Sequence, residues 1–184
     1  MIFAEITGQI LGVLVTIGCI VITQFPKRWQ ILFGSAIVNL ASALNLLLVG
    51  AGLSACIPCF VAVIHCAFST VKAKKDIPPS SIEKIIFSIC YFIAWGLGFG
   101  ISFSLGTASW TDLLPLAATA FFVLSVFMTK ERNMRLFNLC NAVTYIIYDI
   151  IIPNTAVVAQ IFTVISILIA LYRYREKKNT PAQI

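Results

Sequence analysis

The sequence predicts an all-α membrane protein of seven transmembrane helices, and three observations carry that reading. Seven apolar stretches fill almost the whole chain. The chain is 60% hydrophobic and only 11% charged, with a mean hydropathy of +0.98, whereas a soluble domain is about one quarter charged. All thirteen Lys and Arg residues fall on one side of a membrane once the N-terminus is placed outside. Short loops rich in Lys and Arg stay cytoplasmic, because translocating them is unfavourable. The C-terminus is then cytoplasmic as well.

The spans follow in order. Span one runs from Phe3 to Phe25 and ends at Lys27 and Arg28. Span two covers Ile31 to Val49, and span three Leu53 to Val71. The basic run Lys72, Lys74 and Lys75 follows, then Pro78-Pro79 stops helix formation. Ser80 with Glu83 fits a capping box that starts the next helix. Span four is Ile85 to Leu105, span five Leu113 to Met128, span six Leu136 to Ile152, and span seven Ala156 to Tyr172. Each is near the roughly 20 residues that cross a bilayer as a helix. Helices are required, since lipid cannot satisfy exposed backbone groups. Lys130, Arg132 and Arg135 separate spans five and six, and Arg173, Arg175, Lys177 and Lys178 form the tail. The connections Gly50–Gly52, Gly106–Asp112 and Pro153–Thr155 carry no basic residue.

The chain repeats its own rhythm. Spans one to three and spans five to seven each read span, basic turn, span, small outer turn, span, basic end. An offset of about 103 pairs Ser35 with Asn138, Ser42 with Tyr145 and Asn45 with Tyr148; one of about 104 pairs Cys56 with Gln160 and Cys59 with Thr163. Both units start outside, so they are parallel three-helix repeats joined by span four as a linker helix. The expected organisation is one transmembrane domain over residues 1–184. It divides into a first repeat at 1–75, a linker at 76–106, a second repeat at 107–178 and a tail at 179–184. Parallel repeats about an axis along the membrane normal are a transporter architecture, with substrate sites near the midplane.

The polar residues concentrate on two spans. On span two, Ser35, Asn39, Ser42 and Asn45 recur at helical spacing; on span six, Asn138, Asn141, Tyr145 and Tyr148 do so beside Asp149. Span seven adds Gln160, Thr163 and Ser166. A polar stripe in a lipid-embedded helix faces protein or water. The bland outcome is interhelical hydrogen bonding; the sharper one is a hydrated pocket between the repeats. Asn39, Ser42, Asn45, Asn141, Tyr145, Tyr148, Asp149, Gln160 and Thr163 are the expected substrate-binding residues. Asp149 is the strongest of them, since an intramembrane acid marks function by default. Tyrosines stack on a flat ring or sugar face while amides bond its polar edge. No buried base balances an anion, so a neutral-polar or cationic substrate is expected. Glu5 and Gln9 near the outer end of span one belong with headgroups or a pathway entrance.

Other features are weaker. Cys56-Ile57-Pro58-Cys59 is a CxxC, which raises a membrane thiol or quinone redox enzyme as an alternative. Such an enzyme needs shuttle cysteines in outer loops, and these loops have none. All six cysteines (Cys19, Cys56, Cys59, Cys66, Cys90, Cys140) lie inside spans, so no disulfide framework is indicated. Pro58 is a site for a kink in span three. His65, the single histidine, is expected to make a structural hydrogen bond, with proton coupling to Asp149 as the sharper option. Gly96, Gly98 and Gly100 with Ala94 suggest close packing of the linker helix. Trp29 and Trp110 sit at span ends, as interfacial anchors do, and Trp95 is expected to pack. No Walker loop, catalytic triad or dinucleotide fingerprint is present, so no enzyme, cofactor or metal is expected. The net charge of +6 is explained by anionic headgroups on the basic face and not by nucleic acid. A non-transporting structural or regulatory subunit is the remaining alternative.

The 3+1+3 plan with an outside N-terminus resembles the SWEET sugar facilitators and the PnuC vitamin transporters. Over nearly its whole extent the chain is similar to the bacterial inner-membrane YgjV family. The stretches that carry this are Gln9-Ile10-Leu11-Gly12-Val13, Leu46-Leu47-Leu48-Val49-Gly50, Asp112-Leu113-Leu114-Pro115 and Tyr148-Asp149. The resemblance implies a multi-pass inner-membrane protein with a transporter-like fold, working on a small molecule, and related folds imply a homo-oligomer. The chain departs from the SWEET pattern, because the second repeat has no proline at the turn matching Pro26; proline-hinged rocking is not expected.

Overall fold

The computed structural model describes residues 2–48, 53–106, 110–151 and 156–176. The side chains of Glu5, Gln9, Cys56, Asp112, Asp149 and Arg175 lie outside that description, as do Lys177, Lys178 and most of the three connections without basic residues. The described chain is helical throughout, with no strand. Its helices are α1 (Ile2–Thr23), α2 (Arg28–Leu48), α3 (Leu53–Lys74), α4 (Ser81–Ser104), α5 (Leu113–Phe127), α6 (Glu131–Ile151) and α7 (Ala156–Glu176). A single 3-10 turn, Trp110–Asp112, leads into α5.

Seven helices therefore stand where seven spans are expected. By length and composition, three contain a segment fit to cross a membrane: Ile57–Lys74, Ser81–Ser104 and Val157–Tyr174. Ile10–Thr23 and Leu113–Phe127 are shorter apolar stretches. On α2 and α6 the polar stripes dilute the apolar run. Large apolar side chains stay exposed around the bundle, including Val13 and Ile17 on α1, Ile37 on α2, Ile89, Phe92 and Ile93 on α4, and Ile165 and Ile169 on α7. A monomer in water does not leave apolar surface on this scale uncovered; lipid tails cover it.

Local chemistry sets the helix ends. Ser80 accepts from the Glu83 backbone N–H at 3.2 Å, and Glu83 accepts from the Ser80 N–H at 3.2 Å. This is the capping box the sequence predicts, and it starts α4 after Pro78-Pro79. At the end of α3, Asp76 takes the left-handed conformation (φ 53°). The Asp76 N–H then donates to the Ala73 carbonyl and the Ile77 N–H to the Lys72 carbonyl, so a Schellman turn closes α3. The helix continues through Pro58.

Contacts between helices form a closed circuit: α1 on α2, α2 on α3, α3 on α5, α5 on α6, α6 on α7, and α7 back on α1. α4 packs mainly on α3 and less on α5. The main core gathers Ile22, Ile31, Leu32, Ala36, Cys66, Ala73, Val126 and Met134 from five helices. These positions lie towards the ends of the helices that carry the basic turns.

The glycine expectation needs correction. A Cβ added at Gly96 or Gly100 meets nothing within 4 Å, while Ala94 and Gly98 are buried. Residues two apart on a helix point to different sides, so half of this strip faces outward. Close approach occurs between α1 and α2 instead. A Cβ at Gly18 would lie 2.6 Å from Val38 Cγ2, and one at Gly34 2.6 Å from Ile22 Cγ1. Gly34→Ala is expected to cost about 1–3 kcal/mol through overpacking. Gly100→Ala should leave stability unchanged or raise it by up to about 1 kcal/mol, since only helix propensity changes. Thermal unfolding in detergent compares the two.

Candidate functional site

The predicted site residues are half-buried wherever their side chains are described, and the two stripes sit on helices that do not pack extensively together. α2 lies between α1 and α3, and α6 between α5 and α7. On α2, Asn39 donates its amide to the Ser35 carbonyl at 2.7 Å. Ser42 follows on the same face, and Asn45 packs against Gly12 of α1. On α6, Asn141 donates to the Ala118 carbonyl of α5 at 2.7 Å. Tyr145 and Tyr148 are half-buried, and neither is without a partner. On α7, Gln160 is half-buried, and Thr163 donates to the Ala159 carbonyl at 3.0 Å. Asp149 belongs to α6, but its side chain falls outside the described residues. Interhelical bonding thus accounts for Asn141, while Asn39 and Thr163 satisfy their own helices.

The polar cluster the sequence reasoning missed lies at the basic end, and it corrects the expectation that no base is buried: Arg28 and Arg135 both are, each held on helix carbonyls. Arg28, at the start of α2, is 9% exposed. Its Nε donates to the Met128 carbonyl at 2.7 Å and its Nη2 to the Val126 carbonyl at 3.0 Å. Both acceptors sit at the C-terminal end of α5. Arg135, on α6, is 2% exposed. Its Nε donates to the Thr23 carbonyl at 3.2 Å and its Nη2 to the Phe25 carbonyl at 2.6 Å, at the C-terminal end of α1. The last carbonyls of a helix lack partners and carry its negative dipole end, and the planar guanidinium fork reaches two of them at once. Each arginine therefore caps a helix from the other half of the chain.

The surroundings extend the same tie. Tyr174 of α7 lies 4.4 Å from the Arg135 guanidinium and donates its hydroxyl to the Gln24 carbonyl at 2.6 Å. Thr23 and Ser166 share a hydroxyl–hydroxyl bond of 2.6 Å. Gln24 donates to the Ser166 carbonyl at 2.8 Å. Burial lowers the pKa of both arginines; Glu83 and Glu131 oppose this at Arg28, and Tyr174 and Glu131 at Arg135. Both guanidinium groups keep their charge regardless.

The structural hydrogen bond expected of His65 is not formed. The residue is fully buried, yet neither ring nitrogen has a protein hydrogen-bond partner. It stacks instead on Phe87, with ring centroids 4.0 Å apart. Trp95 packs as expected, stacked on Phe99 at 5.2 Å. Trp29 sits under the Lys74 ammonium at 4.9 Å, and Trp110 is 67% exposed.

The Imp-YgjV family, described as a bacterial inner membrane protein, matches residues 6–178. The chain belongs to that family. No curated protein and no solved structure matches the chain. Membership in Imp-YgjV and the apolar helices together place the protein in the bacterial inner membrane.

The sequence signal for the two arginine caps is weak but present. Arg28 and Arg135 each follow the basic turn that opens the second helix of a half. Their separation exceeds the repeat offset of about 103 by about one helical turn, so neither pairs with the other by sequence. In the sequence they inform topology alone, because a basic residue beside an apolar span ordinarily faces headgroups.

Proposed function

We propose that the protein is a membrane transporter or facilitator for a small neutral-polar or cationic metabolite, nucleoside-, vitamin- or sugar-like. It works by alternating access, with α1–α3 and α5–α7 as two parallel triple-helix repeats, α4 as linker, and the basic end cytoplasmic. The observation that carries this reading is the pair of cross-half arginine caps. They close the bundle at one end, together with the main apolar core, while half-buried polar stripes occupy the rest of α2 and α6. That asymmetry fits a bundle sealed towards the cytoplasm with its site nearer the outside.

In this reading Asn39, Ser42, Asn45, Asn141, Tyr145, Tyr148, Asp149, Gln160 and Thr163 line the path. An amide that spends its N–H group on a helix carbonyl still presents an oxygen to a ligand. Tyr145 and Tyr148 supply faces for a ring. Asp149 selects against anions. Opening the cytoplasmic end requires the Arg28 and Arg135 caps to release, and no chemical step is needed. Facilitated diffusion is the simplest energetics.

The test is thermal unfolding of the purified protein against nucleosides, vitamins, sugars, amines and amino acids. A ligand that binds only the folded state raises the midpoint, by about 2.7 kcal/mol of stability at a hundred times its Kd. One chemical class is expected to do so in a dose-dependent way. Asp149→Asn is expected to abolish that rise and change liposome uptake without lowering the ligand-free midpoint. Unchanged uptake removes Asp149 from the mechanism. A partner protein co-purifying at fixed ratio, with no ligand effect, favours a regulatory subunit.

A further inference from the structure

A second polar feature lies in the seam between α3 and α4, away from both stripes. On α3, His65, Ser69 and Lys72 follow at spacings that share one face; on α4, Glu83, Phe87 and Tyr91 do the same. His65, Ser69, Glu83 and Tyr91 are all buried. Lys72 and Glu83 form an ion pair at the basic end of the seam. Further in, His65 stacks on Phe87, meets the edge of Tyr91 at 5.8 Å, and lies 5.0 Å from the Phe127 ring.

Five buried side-chain polar atoms among the described residues have no protein partner. They are His65 Nδ1 and Nε2, Ser69 Oγ, Glu83 Oε1 and Tyr91 Oη. All five belong to this one seam. Native folds pair such atoms with protein or ordered water, because a buried unpaired group is costly. Scattered singly, they would be minor local frustrations; gathered along two facing stripes, they define a site. The set mixes donors and acceptors: a neutral imidazole has one of each, two hydroxyls can do either, and a carboxylate oxygen accepts. Phe87, Phe122, Phe127 and Ala62 pack around them. Water is the small molecule that satisfies both kinds of group.

We infer that His65, Ser69, Glu83 and Tyr91 line a narrow hydrated proton-binding site that opens towards the basic end beside Lys72. A proton enters from water at that end, passes along bound water, and adds to the unprotonated ring nitrogen of His65. The product is an imidazolium with two N–H donors, and the reverse step returns the proton to the same water. Burial in the seam opposes that charge most; Glu83 attracts it and Arg28 of α2 repels it. α3 also carries Lys72, Lys74, Cys56, Cys59 and Cys66, and α4 carries Lys84, Cys90 and, on the facing stripe, Tyr91. α5 presents Phe122 and Phe127, which carry no charge. The site stands apart from the transport reading, since it needs no substrate.

The single histidine makes the test direct. The full chain, labelled at histidine with nitrogen isotope and held in phospholipid nanodiscs, yields one pair of ring-nitrogen NMR signals. The expected result is magnetisation exchange between water and the ring N–H, and conversion to the imidazolium pattern only at the acid end as the buffer is taken from about pH 8 to about pH 3. Glu83→Gln preserves the capping box and should displace the pH of conversion. A neutral pattern that ignores buffer pH and shows no exchange with water overturns the site. Ser69→Ala and Tyr91→Phe give a second readout. In a hydrated seam each leaves the unfolding midpoint unchanged or lower. In a dry seam each removes an unpaired polar atom, and a midpoint raised in both overturns the inference.

Discussion

Arg135→Ala is expected to destabilise the protein by about 2–4 kcal/mol. The guanidinium makes two hydrogen bonds to carbonyls at the end of α1, and hydrogen bonds involving a charged group are worth about 1.5–3 kcal/mol each before the relief of its desolvation is counted. Truncation also strands the Thr23 carbonyl and removes the partner under Tyr174. Arg135→Lys should recover only part of the loss, because an ammonium cannot span two carbonyls as a planar fork does. Arg28→Ala should cost a similar amount at the end of α5. The double variant is the decisive member of the series. The two arginines cap different helices, so independent caps predict losses that add within about 0.5 kcal/mol. If both close a single gate, the second loss is smaller, since the basic end is already loosened by the first. Thermal or denaturant unfolding of the four proteins in one detergent reads the difference. A strictly additive cycle would leave each arginine a local cap and remove the structural support for a common gate.

Much of the fold was legible because hydropathy and charge act on every residue. Seven helices occur in the expected places, and α5 begins at the expected Leu113. At the basic end, α1 and α5 stop slightly short of the expected bounds, at Thr23 and Phe127, and the other five helices run past them. α2 begins at Arg28 instead of Ile31, α4 at Ser81 instead of Ile85, and α6 at Glu131 instead of Leu136, while α3 and α7 run on to Lys74 and Glu176. Hydropathy ends where charge begins, but a helix does not; capping chemistry such as Ser80 with Glu83 sets its end.

The candidate site was legible only as faces. Spacing places Asn39 and Ser42 together on α2, and Asn141 and Tyr145 together on α6, but it cannot say what those faces meet. Arg28 and Arg135 were invisible for the opposite reason. Their role depends on carbonyls roughly a hundred residues away, and carbonyls carry no sequence label. Gly18 and Gly34 show the same limit, because a close approach depends on the partner's side chain. His65 was misread because a buried histidine ordinarily finds a protein partner, and only the packing of Phe87 against it shows otherwise.

A disulfide between Thr23→Cys and Ser166→Cys is expected to stop uptake and to release it on reduction. The two hydroxyl oxygens are 2.6 Å apart, so sulfur atoms at those positions are within bonding reach. The bridge would tie α1 to α7, across the two halves, at the end where the arginine caps also meet. Rocking of one half against the other must separate that contact; motion confined within a half need not. A matched control lies inside the first half. A Cβ at Gly18 would stand 4.0 Å from Val38 Cβ, the separation a disulfide needs, so Gly18→Cys with Val38→Cys bridges α1 to α2 without crossing between halves. In a chain whose six native cysteines are replaced by alanine, the cross-half bridge should reduce liposome uptake of the stabilising compound to background, and the control should not. If both bridges silence uptake, α1 and α2 must slide on each other, and the moving unit is smaller than three helices. If neither does, α1 and α7 travel together, and the arginine caps are permanent joints whose value is stability alone.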